Sequence, residues 1–212
     1  MEKPMLNLVI VICCYLCSSK LALSGHAIES PPYRVVHSES EFELRLYKES
    51  SWMSALVQDT TSFEKATKDG FHRLYQYIHG ANLNSSEITI TAPVLTSIVP
   101  SVHGPAEYYV KLYLPAKYEG TPPQPSAELN LQLDNWRSHC IAVRKFPGFA
   151  KDDRFSKEFE TLVDSLNKHL IGKPAILAAE SPYAIAQYNA SYHLSGRLNE
   201  VWMDLSGITA DC

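Results

Sequence analysis

Residues 52–79 read WMSALVQDTTSFEKATKDGFHRLYQYIH, and this stretch decides the fold. Its first part alternates, with Met53, Ala55 and Val57 in step, which predicts a strand over Trp52 to Gln58. The period then changes. Phe63, Ala66, Phe71, Leu74, Tyr75 and Ile78 recur at three- and four-residue intervals, so a helix runs from a Thr61 or Ser62 cap to about His79, where Gly80 ends it. A strand feeding an amphipathic helix, with more alternating segments behind it, is the unit from which the rest of the chain is read.

The same plan returns later. Glu41 to Tyr47 alternates, with Phe42, Leu44 and Leu46 on one face and Glu41, Glu43, Arg45 and Tyr47 on the other. Further strands are predicted at Ile88 to Thr91, Val94 to Val99, Tyr108 to Leu114, Leu129 to Leu133 and His139 to Phe146. Pro115 to Pro125 is a connecting loop. A second helix spans about Asp152 to Ile171 on the stripe Phe155, Phe159, Leu162, Val163, Leu166 and Leu170; Gly172 and Pro174 stop it. Strands near Ala184 to Tyr188 and Leu198 to Leu205 close the chain. Strand, helix and two strands occur twice. The expected fold class is α+β: a curved, mostly antiparallel sheet from two βαββ repeats with two amphipathic helices on it.

Residues 1–27 stand apart. Lys3 precedes a 13-residue apolar run, Met5 to Cys17, too short for a membrane span of about 20 residues but suited to the core of a signal peptide. Gly25-His26-Ala27 places small side chains before a cut at Ile28, which makes 28–212 the mature domain. The expected location is the secretory pathway, extracellular or vacuolar. Removing the segment takes away Lys3, Lys20 and Glu2 and leaves a formal charge of −5. No later stretch is long and apolar enough to span a bilayer, and a soluble monomer is expected. Cys13, Cys14 and Cys17 fall in the apolar run, leaving Cys140 and Cys212. One disulfide between these two, or a buried thiol beside a terminal one, are both open. The sequons at Asn84 and Asn189 could carry glycans.

Composition narrows the function. The 212 residues are 45% hydrophobic, enough for one sizeable core, with 19 Lys plus Arg against 23 Asp plus Glu. An acidic chain without a basic stripe repels phosphates, so nucleic acid is excluded as a partner. There is no G-x-G-x-x-G or G-x-x-x-x-G-K for nucleotides, no G-x-S-x-G elbow, and no metal-ligand spacing such as H-E-x-x-H. No catalytic residue and no metal centre is assigned, and enzymatic modification of a ligand is a minor alternative.

Several motifs, in order, carry a resemblance. They are Ile28-Glu29-Ser30-Pro31 with Tyr33, Phe42-Glu43-Leu44-Arg45-Leu46-Tyr47, and Thr89-Ile90-Thr91-Ala92-Pro93-Val94. Pro115 with its proline-rich loop, Val143-Arg144-Lys145-Phe146-Pro147-Gly148-Phe149 and Arg197-Leu198-Asn199-Glu200-Val201-Trp202 follow. In these the chain resembles the SOUL haem-binding proteins, most closely the plant members with a signal peptide. The resemblance implies a distorted β-barrel of two βαββ repeats that binds haem or another tetrapyrrole reversibly, as a carrier or buffer, in an apolar groove beside the first helix. Here that groove would be built from Lys68, Phe71, Leu74, Tyr75 and Ile78, with Arg73 also near and His193 and Arg197 in the loop that closes it. Of these, Tyr75 and Lys68 lie nearest the edge of the stripe. Some members carry a strand histidine proposed as an axial iron ligand; Leu46 stands there, which leaves His193, His72 and His79 as weak alternatives. The same architecture resembles bacterial effector-binding domains, which accept aromatic cations with a buried Glu. Glu200 is the local counterpart, unless it is an ordinary strand Glu paired with Arg45 or Arg197. A receptor for another flat hydrophobic or cationic molecule is therefore the second reading.

Overall fold

The structure is a computed structural model, described here for residues 28–58, 60–101, 104–169, 181–188 and 196–206. Nine strands form one antiparallel sheet: β1 (Tyr33–Ser38), β2 (Glu43–Tyr47), β3 (Ser50–Val57), β4 (Val94–Val99), β5 (Glu107–Tyr113), β6 (Gln132–Trp136), β7 (His139–Pro147), β8 (Tyr183–Gln187) and β9 (Leu198–Asp204). The helices are α1 (Phe63–Ile78), between β3 and β4, and α2 (Asp152–His169), between β7 and β8.

The strand order β1-β2-β7-β9-β8-β4-β5-β3-β6 makes the duplication visible. Repeat one, β3-α1-β4-β5, lies in the sheet as β3-β5-β4, and repeat two, β7-α2-β8-β9, as β7-β9-β8. The two triplets meet where β4 pairs β8, Val94 opposite Gln187 and Ile98 opposite Tyr183. The strands that precede each repeat are exchanged. β2 leads into β3 but pairs with β7, while β6 leads into β7 but pairs with β3. This exchange ties the halves together and curls the sheet into a distorted half-barrel.

Each helix has a local reason to start where it does. The Ser62 hydroxyl accepts from the Lys65 amide at the N-terminus of α1, and Gly80 turns the chain at φ 99° just past its end. Asp152 and Asp153 occupy the first turn of α2, with Lys168 and His169 in the last, complementing the helix dipole. α1 buries Phe63, Ala66, Gly70, Leu74, Tyr77 and Ile78 against β3 and β5. Gly70 is needed there, because a Cβ would sit 2.4 Å from Val110 Cγ2. α2 buries Phe155, Phe159, Leu162, Val163 and Leu166 over β7 and β9. The helix N-termini touch through Phe63 and Phe155, with ring centroids 4.7 Å apart.

The face away from the helices is also buried. Tyr47, Trp52, Leu95, Tyr113, Ile141, Val143, Ala184, Ala186 and Trp202 pack there as one cluster. Three segments differ from the sequence expectation. Residues 88–91 form no strand: Ile88 is bound to the end of α1 through its amide to the Ile78 carbonyl, 2.8 Å. Leu129 ends a 3-10 turn, and the strand expected there begins at Gln132. β1 had no counterpart, because its residues are exposed or half-buried and do not alternate.

Candidate functional site

The outward flank of α1 presents Lys68, Phe71, Tyr75 and His79, spaced three to four residues apart and therefore stacked along one side of the helix. Lys68 and Tyr75 are exposed, Tyr75 by 45%, and Phe71 is half-buried. The three rings form a ladder: Phe71 and Tyr75 lie 6.1 Å apart, and Tyr75 stacks on His79 at 3.9 Å. His79 Nδ1 sits 2.8 Å from the Tyr75 carbonyl oxygen. A carbonyl only accepts, so Nδ1 is the donor in this contact.

The flank faces the middle of the sheet. Thr67 reaches the buried Thr96 of β4, oxygen to oxygen 2.9 Å, and Phe71 and Val94 pack against the same core cluster. Val94 is opposite Gln187, the last residue of β8. Two of the expected groove residues are placed elsewhere. Leu74 and Ile78 lie beneath the helix, essentially without exposure, in the cluster with Met53, Val110 and Leu112. They attach α1 to the sheet, because the centre of an amphipathic stripe must be buried before its edges can line anything. Arg73 is also committed, donating to the Leu56 carbonyl at 2.6 Å and to the carbonyls of Leu129 and Asn130. Arg197 is largely buried with its guanidinium 4.1 Å from the Phe149 ring centroid. His193 and Asn189 lie outside the described residues, as does Cys212. Asn84 is exposed on the turn after α1, and Cys140 is buried in β7. Leu46 is half-buried on β2, opposite Cys140 of β7.

On the opposite face Glu200 lies at the centre of a closed network. Arg45 meets it bidentately, Nη1 to Oε2 at 3.0 Å and Nη2 to Oε1 at 2.9 Å. The Tyr188 hydroxyl and Trp202 Nε1 also donate to Oε2, at 2.8 and 2.7 Å. Arg45 donates its Nε to Glu43 at 2.8 Å and its Nη1 to the Tyr47 hydroxyl at 3.3 Å, and stands 4.4 Å over the Tyr33 ring. Burial works against the charge on Arg45, but Glu200 outweighs it and raises the guanidinium pKa. Burial pushes the Tyr188 phenol far up, and the neighbouring Glu200 charge pushes the same way. Burial also raises Tyr47. Every polar atom of Glu200 is engaged, and a carboxylate held by an arginine has no charge left for an incoming cation.

Beside this network the curled sheet leaves a cleft of about 800 Å³, lined among others by Tyr109, Lys111, Trp136, His139 and Trp202. It holds a cation of its own. Lys111 Nζ is 2.6 Å from Asp134 and 5.4 Å from the Trp136 ring centroid. The sequence offered a signal for these groups. Glu43, Arg45 and Tyr47 were legible as one face of β2, but a polar face ordinarily looks to solvent, and here it is the buried interior of the curl.

An antiparallel sheet curled by two exchanged strands, with a helix on each half, defines the fold class. The crystal structure of the EcmrR C-terminal domain shares it, with a TM-score of 0.52 over 81% of this chain and 96% of that one; at 12% identity the likeness is of fold. The model of the SOUL heme-binding protein family matches residues 28–204, and the chain belongs to that family. It is 28% identical over 183 residues to heme-binding protein 2 of Mus musculus, covering 84% of this chain and 86% of the relative. With heme-binding protein 2 of Homo sapiens the identity is 29% over 187 residues, covering 85% and 87%. With heme-binding protein 1 of Xenopus laevis it is 29% over 163 residues, covering 76% and 82%.

Proposed function

We propose that the chain binds haem and related tetrapyrroles reversibly, without covalent attachment, along the outer flank of α1. The observation that carries this reading is the Phe71–Tyr75–His79 ladder beside Lys68, in which Phe71 is rooted at the rim of the core while Tyr75, His79 and Lys68 stand exposed. A porphyrin is a flat apolar ring with two carboxylate tails. Stacked aromatic faces supply the wall for the ring, and an ammonium at the rim suits a propionate. Family membership across 28–204 and relatives named for haem binding support the same chemistry. Titration of the full chain with haemin and protoporphyrin IX, followed by absorbance and Tyr/Trp quenching, tests it. Saturable binding at one equivalent is expected; absence of saturation with both ligands refutes it.

The role is that of a carrier or buffer and not of a catalyst. A cation receptor on the concave face is disfavoured by two observations: Glu200 is neutralised by Arg45, and Asp134 by Lys111. In the same reading the chain is exported after loss of residues 1–27, functions as a monomer, and carries glycans at Asn84 and Asn189. No helix among the described residues is long and apolar enough to cross a membrane. A disulfide joins Cys140 to Cys212. The Leu205 amide donates to the Cys140 carbonyl at 2.9 Å, so the last seven residues start from beside that cysteine, well within reach of its sulfur. Thiol labelling of the unfolded, unreduced protein should find no free thiol; two per chain would refute the bond.

A further inference from the structure

Away from the α1 flank and the concave face, three side chains with metal-binding chemistry meet at one corner of the fold. His37 lies near the end of β1, Glu39 in the bend that follows, and His169 is the last residue of α2. His37 Nε2 is 2.8 Å from Glu39 Oε1, and His169 Nδ1 is 3.9 Å from the same oxygen. All three ligand atoms fall within 4.8 Å of one another. The two imidazole centroids are 4.4 Å apart, and the buried Phe42 meets the His169 ring edge-on at 5.6 Å.

We propose that His37, Glu39 and His169 bind one divalent cation of the zinc class, with water completing the coordination shell. Tetrahedral zinc, with bonds near 2.0–2.2 Å, sets its ligand atoms about 3.4 Å apart. The measured separations bracket that value, so side-chain rotation closes the site without moving the backbone. The side chains are 37%, 47% and 34% exposed, which leaves room for that rotation and for solvent ligands. Two imidazoles and one carboxylate suit zinc and its borderline neighbours better than calcium or magnesium, which prefer oxygen alone. The C-terminal end of α2 adds the negative end of a helix dipole. The nearby Glu41 is not a competitor, since its carboxylate is taken by Arg144. A bound ion would clamp β1, which among the described residues is an edge strand paired with β2, to the end of α2. The site is independent of the tetrapyrrole reading.

The test uses the full chain, stripped with a chelator and titrated with zinc chloride by calorimetry, and with Co²⁺ as a visible reporter of tetrahedral geometry. One equivalent should bind, the thermal midpoint should rise with zinc, and His37→Ala and His169→Ala should each weaken binding at least tenfold. His139→Ala should change nothing. If His169→Ala fails to fold, His37→Gln and the histidine ring signals in an NMR titration decide the matter, since both rings should shift together. The proposal is overturned by the absence of saturable zinc binding, by parental affinity in the His37 and His169 variants, or by loss of binding in His139→Ala.

Discussion

Replacing Tyr75 by Asp separates a ligand wall from a structural residue. Tyr75 is 45% exposed and touches His79 and Phe71 but not the core beneath α1. The cost to the fold is therefore small. Asp is a modest helix former, and a negative charge in the last turn of α1 is disfavoured by about 0.3–1 kcal/mol. The cost to the complex is larger. The substitution removes one aromatic face and sets a carboxylate against an apolar ring, worth about 1–3 kcal/mol, or a roughly 5- to 150-fold rise in Kd. The assay is haemin titration of Tyr75→Asp beside Lys168→Asp on α2, with thermal midpoints measured for both. Lys168→Asp makes the larger change in net charge yet should leave the Kd unaltered. Equal loss in the two variants would mean that acidity alone was sensed. Loss from Lys168→Asp alone would move the groove to the other helix. An unaltered Kd in Tyr75→Asp would remove the ladder from the site.

Other outcomes follow from the same geometry. Because Leu46 stands where a ligating strand histidine would be, ring burial should supply most of the affinity. Metal-free protoporphyrin IX should then bind nearly as well as haemin, and tight haemin binding with none for protoporphyrin would show that a histidine such as His79 or His193 ligates. Glu200→Gln leaves the buried Arg45 with Glu43 as its remaining carboxylate, which should destabilise the fold by about 1–3 kcal/mol and lower the thermal midpoint by roughly 2–12 °C, while the α1 flank still binds. A midpoint within a degree of the parent would refute the assigned role of the network. Burial first, and then a neighbouring tyrosine, push the phenols of Tyr77 and Tyr183 up to about 12. A pKa raised on folding gives stability that is whole below the unfolded value of about 10 and drains as pH climbs from there toward 12. Phenolate absorbance should lag in that interval and then rise together with loss of circular dichroism; early, independent titration of all tyrosines would contradict it.

Elements whose cause is local were legible. Ser62 and Gly80 delimit α1 to within a residue or so, and the alternation of Glu41 to Tyr47 covers β2. Elements whose cause is tertiary were not. β1 is defined by pairing with β2, Tyr33 opposite Tyr47, and not by its own pattern. β6 starts three residues after Leu129, where the apolar alternation begins, because its register is set by β3, where Asp134 faces Trp52. The site divides in the same way. Periodicity finds the stripe of α1, but only the packed sheet separates Leu74 and Ile78, which hold the helix down, from Tyr75 and Lys68, which remain outside. The pairing of Glu200 with Arg45 was among the readings open to the sequence; its further donors Tyr188 and Trp202 were not, since each comes from a strand whose place in the curl is fixed by long-range order.

The duplication supports placing the proposed ligand flank on the helix side. In repeat order β2 corresponds to β6, β7 to β3, and β9 to β5. Arg45 on β2 bonds Glu200 on β9 across β7, and Asp134 on β6 bonds Lys111 on β5 across β3. In each half an ion pair thus stitches the exchanged leading strand to the last strand of a repeat, with the signs reversed between halves. Each acid also accepts an indole N–H, from Trp202 in one half and Trp136 in the other. The two devices are not equally dry: Arg45 and Glu200 are almost wholly buried, whereas Lys111 and Asp134 border the open cleft. A concave face whose charges cancel pairwise holds the exchanged strands but offers little to a dianionic ring. The first repeat, through α1, combines exposed aromatic faces with the exposed ammonium of Lys68. The corresponding helix of the second repeat buries Phe155 and Phe159 and turns Glu160 and Asp164 outward. In the proposed reading, the helix of the second repeat serves only to cover the sheet, and that of the first also offers an edge to the ligand.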